Sequence, residues 1–209
     1  MTAKECDHHE EEEHRLHRRL FSLLLGLIVL ALFIIFLVFL ILRPAKPAFV
    51  LRDATIYQFN ASAVPSLLTT DMQVTLSSRN PNERIGIYYQ KLNIFASYRG
   101  QQITLPTLLP ESYQAHKEVI DWSPFLYGSA VPVSPFLTAA LEQDQNAGSV
   151  LVNIKVDGSV KWKVGTWVSG KYHLHVNCPA LLVFKEPSGG IAVGPSMKIQ
   201  LTQHCTVDV

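Results

Sequence analysis

Two hydrophobic periodicities divide the chain. From Leu20 to Leu42 the sequence "LFSLLLGLIVLALFIIFLVFLIL" carries no charge, and only Ser22 and Gly26 interrupt its apolar residues. Apolar and polar faces are not separated anywhere in the run, so it does not read as the surface helix of a globular domain. At about 1.5 Å per residue it makes a helix of roughly 35 Å, enough to cross a hydrocarbon core of about 30 Å. A cleaved signal peptide is a poorer match: its apolar region spans about 7 to 15 residues and ends in small residues, whereas this run is longer and ends at Arg43-Pro44. A single membrane anchor is expected.

Beyond the anchor the period falls to two. Met72, Val74 and Leu76 alternate with polar neighbours; so do Leu92, Ile94, Ala96 and Tyr98, then Val150, Val152, Ile154 and Val156, then Tyr172, Leu174, Val176 and Cys178. Met197, Ile199, Leu201, Cys205 and Val207 form a last row. Arg99-Gly100-Gln101 predicts a hairpin turn, and Gly86 predicts a bulge or a close backbone contact. Between strands, "SPFLTAALEQDQ" (Ser134 to Gln145) has a serine cap, proline at the first helical position, and Phe136, Leu137, Ala140 and Leu141 on one face, so one short helix is expected there. Asn80-Pro81-Asn82 interrupts the strand pattern. Proline cannot donate to a ladder and asparagine bonds to nearby backbone or adopts positive φ, so the triplet should end one strand and turn the chain. The expected fold class is mainly β: an N-terminal transmembrane helix, then an antiparallel β-sandwich with one short helix.

The segments expected are a cytosolic polar tail (1–19), the anchor (20–42), a proline-stiffened linker (43–48) and the sandwich (49–209). With 209 residues, 48% of them hydrophobic, the chain is long enough for one ordinary domain plus an anchor. The tail holds four Lys and Arg against six Asp and Glu, and the part from Arg43 onward fourteen against eleven. Neither balance gives the concentrated basic face that a nucleic-acid partner demands. Cys6, His8, His9 and His14 in the tail match no structural zinc spacing, and a solvated, biased segment is the reading there.

Orientation does not follow from the flanking cations, since Arg15, Arg18 and Arg19 are balanced by Arg43, Lys46 and Arg52. Two other features decide it. Asn60-Ala61-Ser62 is a glycosylation sequon, usable only on a lumenal face. Cys178 and Cys205 lie on the same side, each on the apolar register of a late strand; in an oxidising compartment a disulfide is expected, with two buried thiols as the alternative. Both features place the N-terminus in the cytosol and the sandwich outside.

Candidate chemistry is sparse. His173 and His175 share a strand face, with only His116 and His204 as further histidines beyond the anchor, and a polar strand face is the reading. Trp122, Trp162 and Trp167, with Tyr88, Tyr89, Tyr127 and Tyr172, invite a carbohydrate-binding reading, but packing is the default for such residues. Lys155, Lys161, Lys163 and Lys171 form a basic edge that protects an edge strand or meets anionic lipid. No nucleophile elbow, phosphate loop, zinc-protease helix or dinucleotide fingerprint occurs. No catalytic residue, cofactor or metal is expected.

"RNPNERIGIYYQKLNIFASYRGQQI", "LPESYQAH", "WKVGTWVSGKYHLHVNCPAL" and the terminal "CTVDV" together resemble the plant late embryogenesis abundant type 2 domain, also called the water-stress and hypersensitive-response domain. A short tail and one membrane span before it resemble the harpin-induced-like and non-race-specific-disease-resistance-like subfamily. The Asn80-Pro81-Asn82 triplet is a hallmark of that domain. The resemblance covers nearly the whole chain from Leu20. It implies about seven antiparallel strands with one helix, a plasma-membrane location that extends to plasmodesmata, and roles in defence and abiotic stress. It supplies no catalytic residues. One departure is Glu111-Ser112-Tyr113, where related members have a proline-aromatic pair before the glutamine.

The function expected is that of a non-enzymatic single-pass plasma-membrane protein with an extracellular interaction module in defence and stress. Its partners would be the bilayer, through residues 20–42, membrane or cell-wall proteins, and a second copy of the chain; nucleic acid is not among them. The alternative is a lipid-binding or membrane-stabilising sandwich.

Overall fold

The computed structural model describes residues 4–41, 44–62, 65–184, 197–199 and 202–209. The chain divides into two units, Met1–Arg43 and Pro44–Val209. The described residues of the first form one helix, α1 (Lys4–Ile41). It runs well into the segment expected as a solvated tail, because residues 4–19 are mostly Glu, Arg, Lys and Leu, with neither glycine nor proline. Within it, His17–Phe36 is long and apolar enough to cross a membrane, and these residues are exposed all round. Leu42 and Arg43 lie outside the described residues.

The second unit is mainly β. It opens with three long strands, β1 (Ala48–Ser62), β2 (Leu67–Arg79) and β3 (Ile85–Tyr98). Short segments follow: β4 (Gln101–Gln102), β5 (Thr107–Leu108), β6 (Ser112–Gln114), β7 (Val119–Trp122) and β8 (Phe125–Pro132). Helix α2 (Pro135–Asn146) precedes the long β9 (Ser149–Val164), the short β10 (Trp167–Val168) and β11 (Tyr172–Phe184). The last row is broken into β12 (Met197–Ile199), β13 (Gln203–His204) and β14 (Thr206–Asp208). Every strand pair is antiparallel.

One hydrogen-bonded sheet, in the order β4-β3-β9-β11-β12-β1-β2-β7, folds on itself so that β3, β9 and β11 face β1, β2, β7 and β8 across a single core. The last row joins the halves: β12 pairs β1 on one side and β11 on the other. The rings of Phe49 (β1), Tyr89 (β3) and Trp122 (β7) meet in the interior at centroid distances of 5.5 to 6.4 Å. Such edge-to-face and offset contacts are the favoured aromatic geometries.

The alternating rows behave as their period demands. Met72, Val74, Leu76, Leu92, Ile94, Ala96, Tyr98, Val150, Val152, Ile154 and Val156 are all buried. Tyr172 is not: it keeps the parity of Leu174 and Val176 but stands at the first residue of β11 and is 48% exposed. Leu201 lies outside the described residues. Arg99 and Gly100 turn β3 into β4 with φ of 48° and 88°, the two positive values of a type I′ hairpin turn.

The strand irregularity falls at Lys91 rather than at Gly86. Between Gln90 and Asn93 the β3–β9 register shifts, and Lys91 takes φ 51°. Gly158 on β9 accommodates that bulge, since a Cβ there would lie 2.8 Å from the Lys91 carbonyl oxygen. Gly86 is instead covered by the Tyr113 ring, with a Cβ position 2.7 Å from Cε2. Helix α2 begins as expected: Ser134 caps it by accepting from the Leu137 N–H, and Pro135 follows. Leu137, Ala140 and Leu141 are buried, but Phe136 is 72% exposed. The inward stripe takes Thr138 in its place.

Candidate functional site

Among the described residues the most densely bonded polar site is the corner at Asn80-Pro81-Asn82, where β2 gives way to β3. Asn80 is fully buried, and its side chain uses every donor and acceptor it has. Its Nδ2 donates to the carbonyls of Ile85 (2.8 Å) and Ala115 (3.0 Å). Its Oδ1 accepts from the Asn82 backbone N–H (3.0 Å) and from Asn82 Nδ2 (2.9 Å). Pro81 lacks an N–H, and its carbonyl accepts from Lys117 Nζ at 2.9 Å. Neither asparagine adopts positive φ, so of the two roles expected for them only the hydrogen-bonding one is used.

Asn82 extends the hub to a distant part of the chain. Its Oδ1 accepts from the Ala45 N–H (2.8 Å), and its Nδ2 donates to the Ala45 carbonyl (2.9 Å). The carboxamide thus pairs with a backbone unit two residues beyond Arg43, inside the segment read from sequence as a linker. Two backbone bonds bind the 115–118 turn to the same corner: Asn80 N–H to the Glu118 carbonyl, and Lys117 N–H to the Asn82 carbonyl. Four segments therefore meet here: the start of the sandwich unit, the end of β2, the start of β3 and the turn after β6.

A second buried network backs the first. Tyr89 Oη donates to Gln114 Oε1 at 2.8 Å and lies 2.8 Å from Ser78 Oγ, while Gln114 Nε2 donates to the carbonyls of Ser78 (2.7 Å) and Glu118 (2.9 Å). Burial raises the Tyr89 hydroxyl far above its ordinary pKa, with the Ser78 hydrogen bond a smaller opposing influence. Gln114, the glutamine after the departing Glu111-Ser112-Tyr113, is wholly buried. Tyr113 turns outward onto Tyr88 (4.6 Å between centroids), and Lys163 Nζ lies over both rings at 5.0 and 5.7 Å.

Cys178 and Cys205 are joined by a disulfide with a Cα–Cα distance of 4.3 Å. Continuing the β11–β14 register from Asn177↔Thr206 by one residue puts them directly opposite, and the spacing is that of a close, non-hydrogen-bonded antiparallel pair. The Cys205 N–H donates to the Phe49 carbonyl (3.0 Å), so this residue ties the last row to β1 as well as to β11. Asn60 is exposed on β1 opposite Thr69.

His173 and His175 stack on the outer face of β11, and His175 Nδ1 is 2.6 Å from Asp157 Oδ1. Among the described residues no group of three His, Cys, Asp or Glu could hold a metal; Cys6, His8, His9 and His14 lie where side chains are outside the described residues. The aromatic residues separate into two populations. Trp122, Trp162 and Tyr89 are core, whereas Trp167, Tyr127 and Tyr172 are exposed. One tie escaped the sequence reading: Tyr98 Oη donates to Asp144 Oδ2 (2.5 Å), which Arg99 also binds at 3.2 Å, fastening α2 to the β3–β4 turn. Burial and the Asp144 carboxylate push the Tyr98 hydroxyl up to about 12. No periodicity announces that pairing.

Residues 75–179 match the late embryogenesis abundant protein family (LEA_2). Along its full length the chain is similar to NDR1/HIN1-like protein 1 of Arabidopsis thaliana, 48% identical over 99% of this chain and 100% of that one. NDR1/HIN1-like protein 12 of the same plant is 48% identical over 100% of both, and NDR1/HIN1-like protein 26 is 43% identical over 80% of this chain and 79% of its own. A crystal structure of a protein from Archaeoglobus fulgidus aligns at a TM-score of 0.33 with 8% identity, over 65% of this chain and 98% of its own, too remote to inform the fold. With its Asn-Pro-Asn hub, its antiparallel sandwich and these full-length relatives, the chain belongs to the NDR1/HIN1-like family of late embryogenesis abundant proteins, a plant stress and defence family.

Proposed function

We propose that the protein is a non-enzymatic, single-pass plasma-membrane protein, anchored by residues 20–42 with its N-terminus in the cytosol, that displays its sandwich outside the cell as an interaction module in plant defence and abiotic stress. The observation that carries the reading is the corner hub. Its buried polar groups are all engaged with one another and with backbone, which suits a scaffold that holds a surface in place. The exposed sequon at Asn60 and the Cys178–Cys205 bond suit an oxidising, lumenal environment. Partners on this reading are membrane or cell-wall proteins, reached from the plasma membrane and its plasmodesmal extensions.

The lipid-binding alternative would require room between the sheets. That space is filled by Leu51, Ile56, Leu76, Ile94, Val152 and Leu174, all without exposed surface. Lipid contact is therefore better sought on the outside of the sandwich.

The test is protease protection on sealed plant microsomes, with glycosidase treatment of wild type and Asn60→Gln. The reading expects the sandwich to be protected until detergent is added, and a glycosidase-sensitive mass that Asn60→Gln removes. Digestion of the sandwich in intact microsomes would overturn it. Pull-down from elicitor-treated plasma membranes then addresses the partners, with surface or wall-linked proteins expected.

A further inference from the structure

At the end of the sandwich that receives the chain, β1 begins at Ala48, β2 ends at Arg79, β3 begins at Ile85 and β9 ends at Val164, and the register pairs Ala48 with Arg79 and Ile85 with Val164. The β9–β10 hairpin therefore projects at the same end as the Asn80–Asn82 hub. Its two-residue turn is Gly165-Thr166, with Gly165 at φ 58° as the first position of a type II′ turn favours. Trp167 stands opposite Val164 and Val168 opposite Lys163, so the two apolar residues flank the tip on opposite faces. Trp167 is 63% exposed and Val168 41%, whereas Trp162, five residues earlier, is 6% exposed. The hairpin is held firmly behind its tip: the Ser169 N–H donates to the Trp162 carbonyl, and Ser169 Oγ accepts from the Trp162 N–H, each at 2.9 Å.

Charge at this end is one-sided. Glu83 pairs with Lys117, Asp208 with Lys46, and the Glu118 carboxylate accepts from the Ala115 N–H. Lys161 and Lys163 on β9, Lys171 just before β11, and Arg84 beside the hub have no carboxylate within ion-pair distance among the described residues. Covalent geometry supplies the third observation. Three peptide steps separate Leu42, where the apolar run ends, from Ala45, which Asn82 holds; such a stretch reaches at most about 11 Å.

We propose that the β9–β10 hairpin tip is a second bilayer contact, in which Trp167 and Val168 enter the headgroup region on the sandwich's side of the membrane while Lys161, Lys163 and Lys171 meet anionic lipid headgroups. A tryptophan with an apolar body and one N–H donor favours that interface, and lysines beside it gain from a negative surface. The inference rests on residues 20–42 spanning the bilayer, and its test separates the two ideas.

The anchor contains no tryptophan, and the other two, Trp122 and Trp162, are buried, so the emission that Trp167→Phe removes reports this site. The full chain is reconstituted into vesicles of phosphatidylcholine alone or with phosphatidylserine, with and without lipids brominated near the headgroup. The expected result is a blue-shifted Trp167 component that brominated lipid largely extinguishes and aqueous iodide does not, with stronger quenching in the anionic vesicles. Lys161→Gln, Lys163→Gln and Lys171→Gln together should abolish that dependence on anionic lipid, and equal quenching of the wild type in both vesicle types would overturn the lysine half. A red-shifted component quenched by iodide and untouched by brominated lipid would overturn the tip contact, whether the surface is free or reserved for a protein. Flotation in alkaline carbonate keeps the readings apart: chain that no longer floats overturns the anchor, while chain that floats with a water-exposed Trp167 overturns the hairpin contact alone.

Discussion

The Asn80–Asn82 corner and the Gly165–Val168 tip lie at one end of the sandwich, at the termini of two paired strands, yet they treat polarity in opposite ways. At the corner, amide groups that water would solvate are buried and fully bonded to one another and to backbone. At the tip, an indole and a valine that a core would bury stand in the open. Buried polar groups cost several kcal/mol unless satisfied, so the first arrangement marks a structural joint. Apolar side chains left exposed on a well-bonded hairpin contribute little to folding, so the second marks a surface with other work. Which residues serve architecture and which serve contact follows from where each group's natural partner is.

Substitutions at both places test this contrast. The largest effect is expected at Asn80→Asp, which keeps the shape but loses both donors, takes the side-chain hydrogen bond from the Ile85 and Ala115 carbonyls and buries a charge; a loss of about 4 kcal/mol is expected from a change of this kind. A urea or thermal melt of the full chain in detergent, followed by tryptophan emission, reads it. Removing the Cys178–Cys205 bond as the double Ser variant should cost about 3 kcal/mol, given a separation of 27 residues. The same melt under reducing conditions should then bring the wild type down to the variant.

A smaller effect arises at high pH. The Tyr98 hydroxyl is pushed up to about 12, whereas an unfolded tyrosine titrates near 10. Its contribution is whole below about pH 10 and is lost as the pH climbs from 10 through 12, because only the unfolded chain releases the proton there. Between pH 9 and pH 11 that costs about 1 kcal/mol, and Tyr98→Phe should flatten the decline. The smallest effect belongs to the tip. Trp167→Ser should leave the melt within about 0.5 kcal/mol of wild type, as expected for an exposed site away from packing; a larger fall would mean the indole is structural and the contrast false.

Much of this architecture was legible from period alone. Four rows of alternating apolar residues became buried strand faces, and a serine-proline start became a capped helix, because such signals are local and each residue carries its own share. What failed to show was decided by partners distant in sequence. Tyr172 has core parity but lies at a strand's first residue, and Phe136 carries the right chemistry at a position the helix turns outward. The bulge fell at Lys91, a residue with no special backbone preference, while Gly86 made room for Tyr113. The triplet Asn80-Pro81-Asn82 could be read as a turn, but its partner Ala45 is 37 residues before Asn82 and offers only backbone, which leaves no trace in composition. Exposure of Trp167 beside the buried Trp162 was equally hidden, since both obey the same strand alternation.

Amide hydrogen exchange at Ala45 tests most directly whether the Asn82 carboxamide locks the chain to the sandwich where the domain begins. In the full-length protein the Ala45 N–H should exchange as slowly as amides inside β1, and Asn82→Ala should release it by orders of magnitude while the strand amides of β9 and β11 stay protected. Exchange at Ala45 that is rapid in the wild type and unchanged by the substitution would contradict the lock, and with it the reason given for the two asparagines.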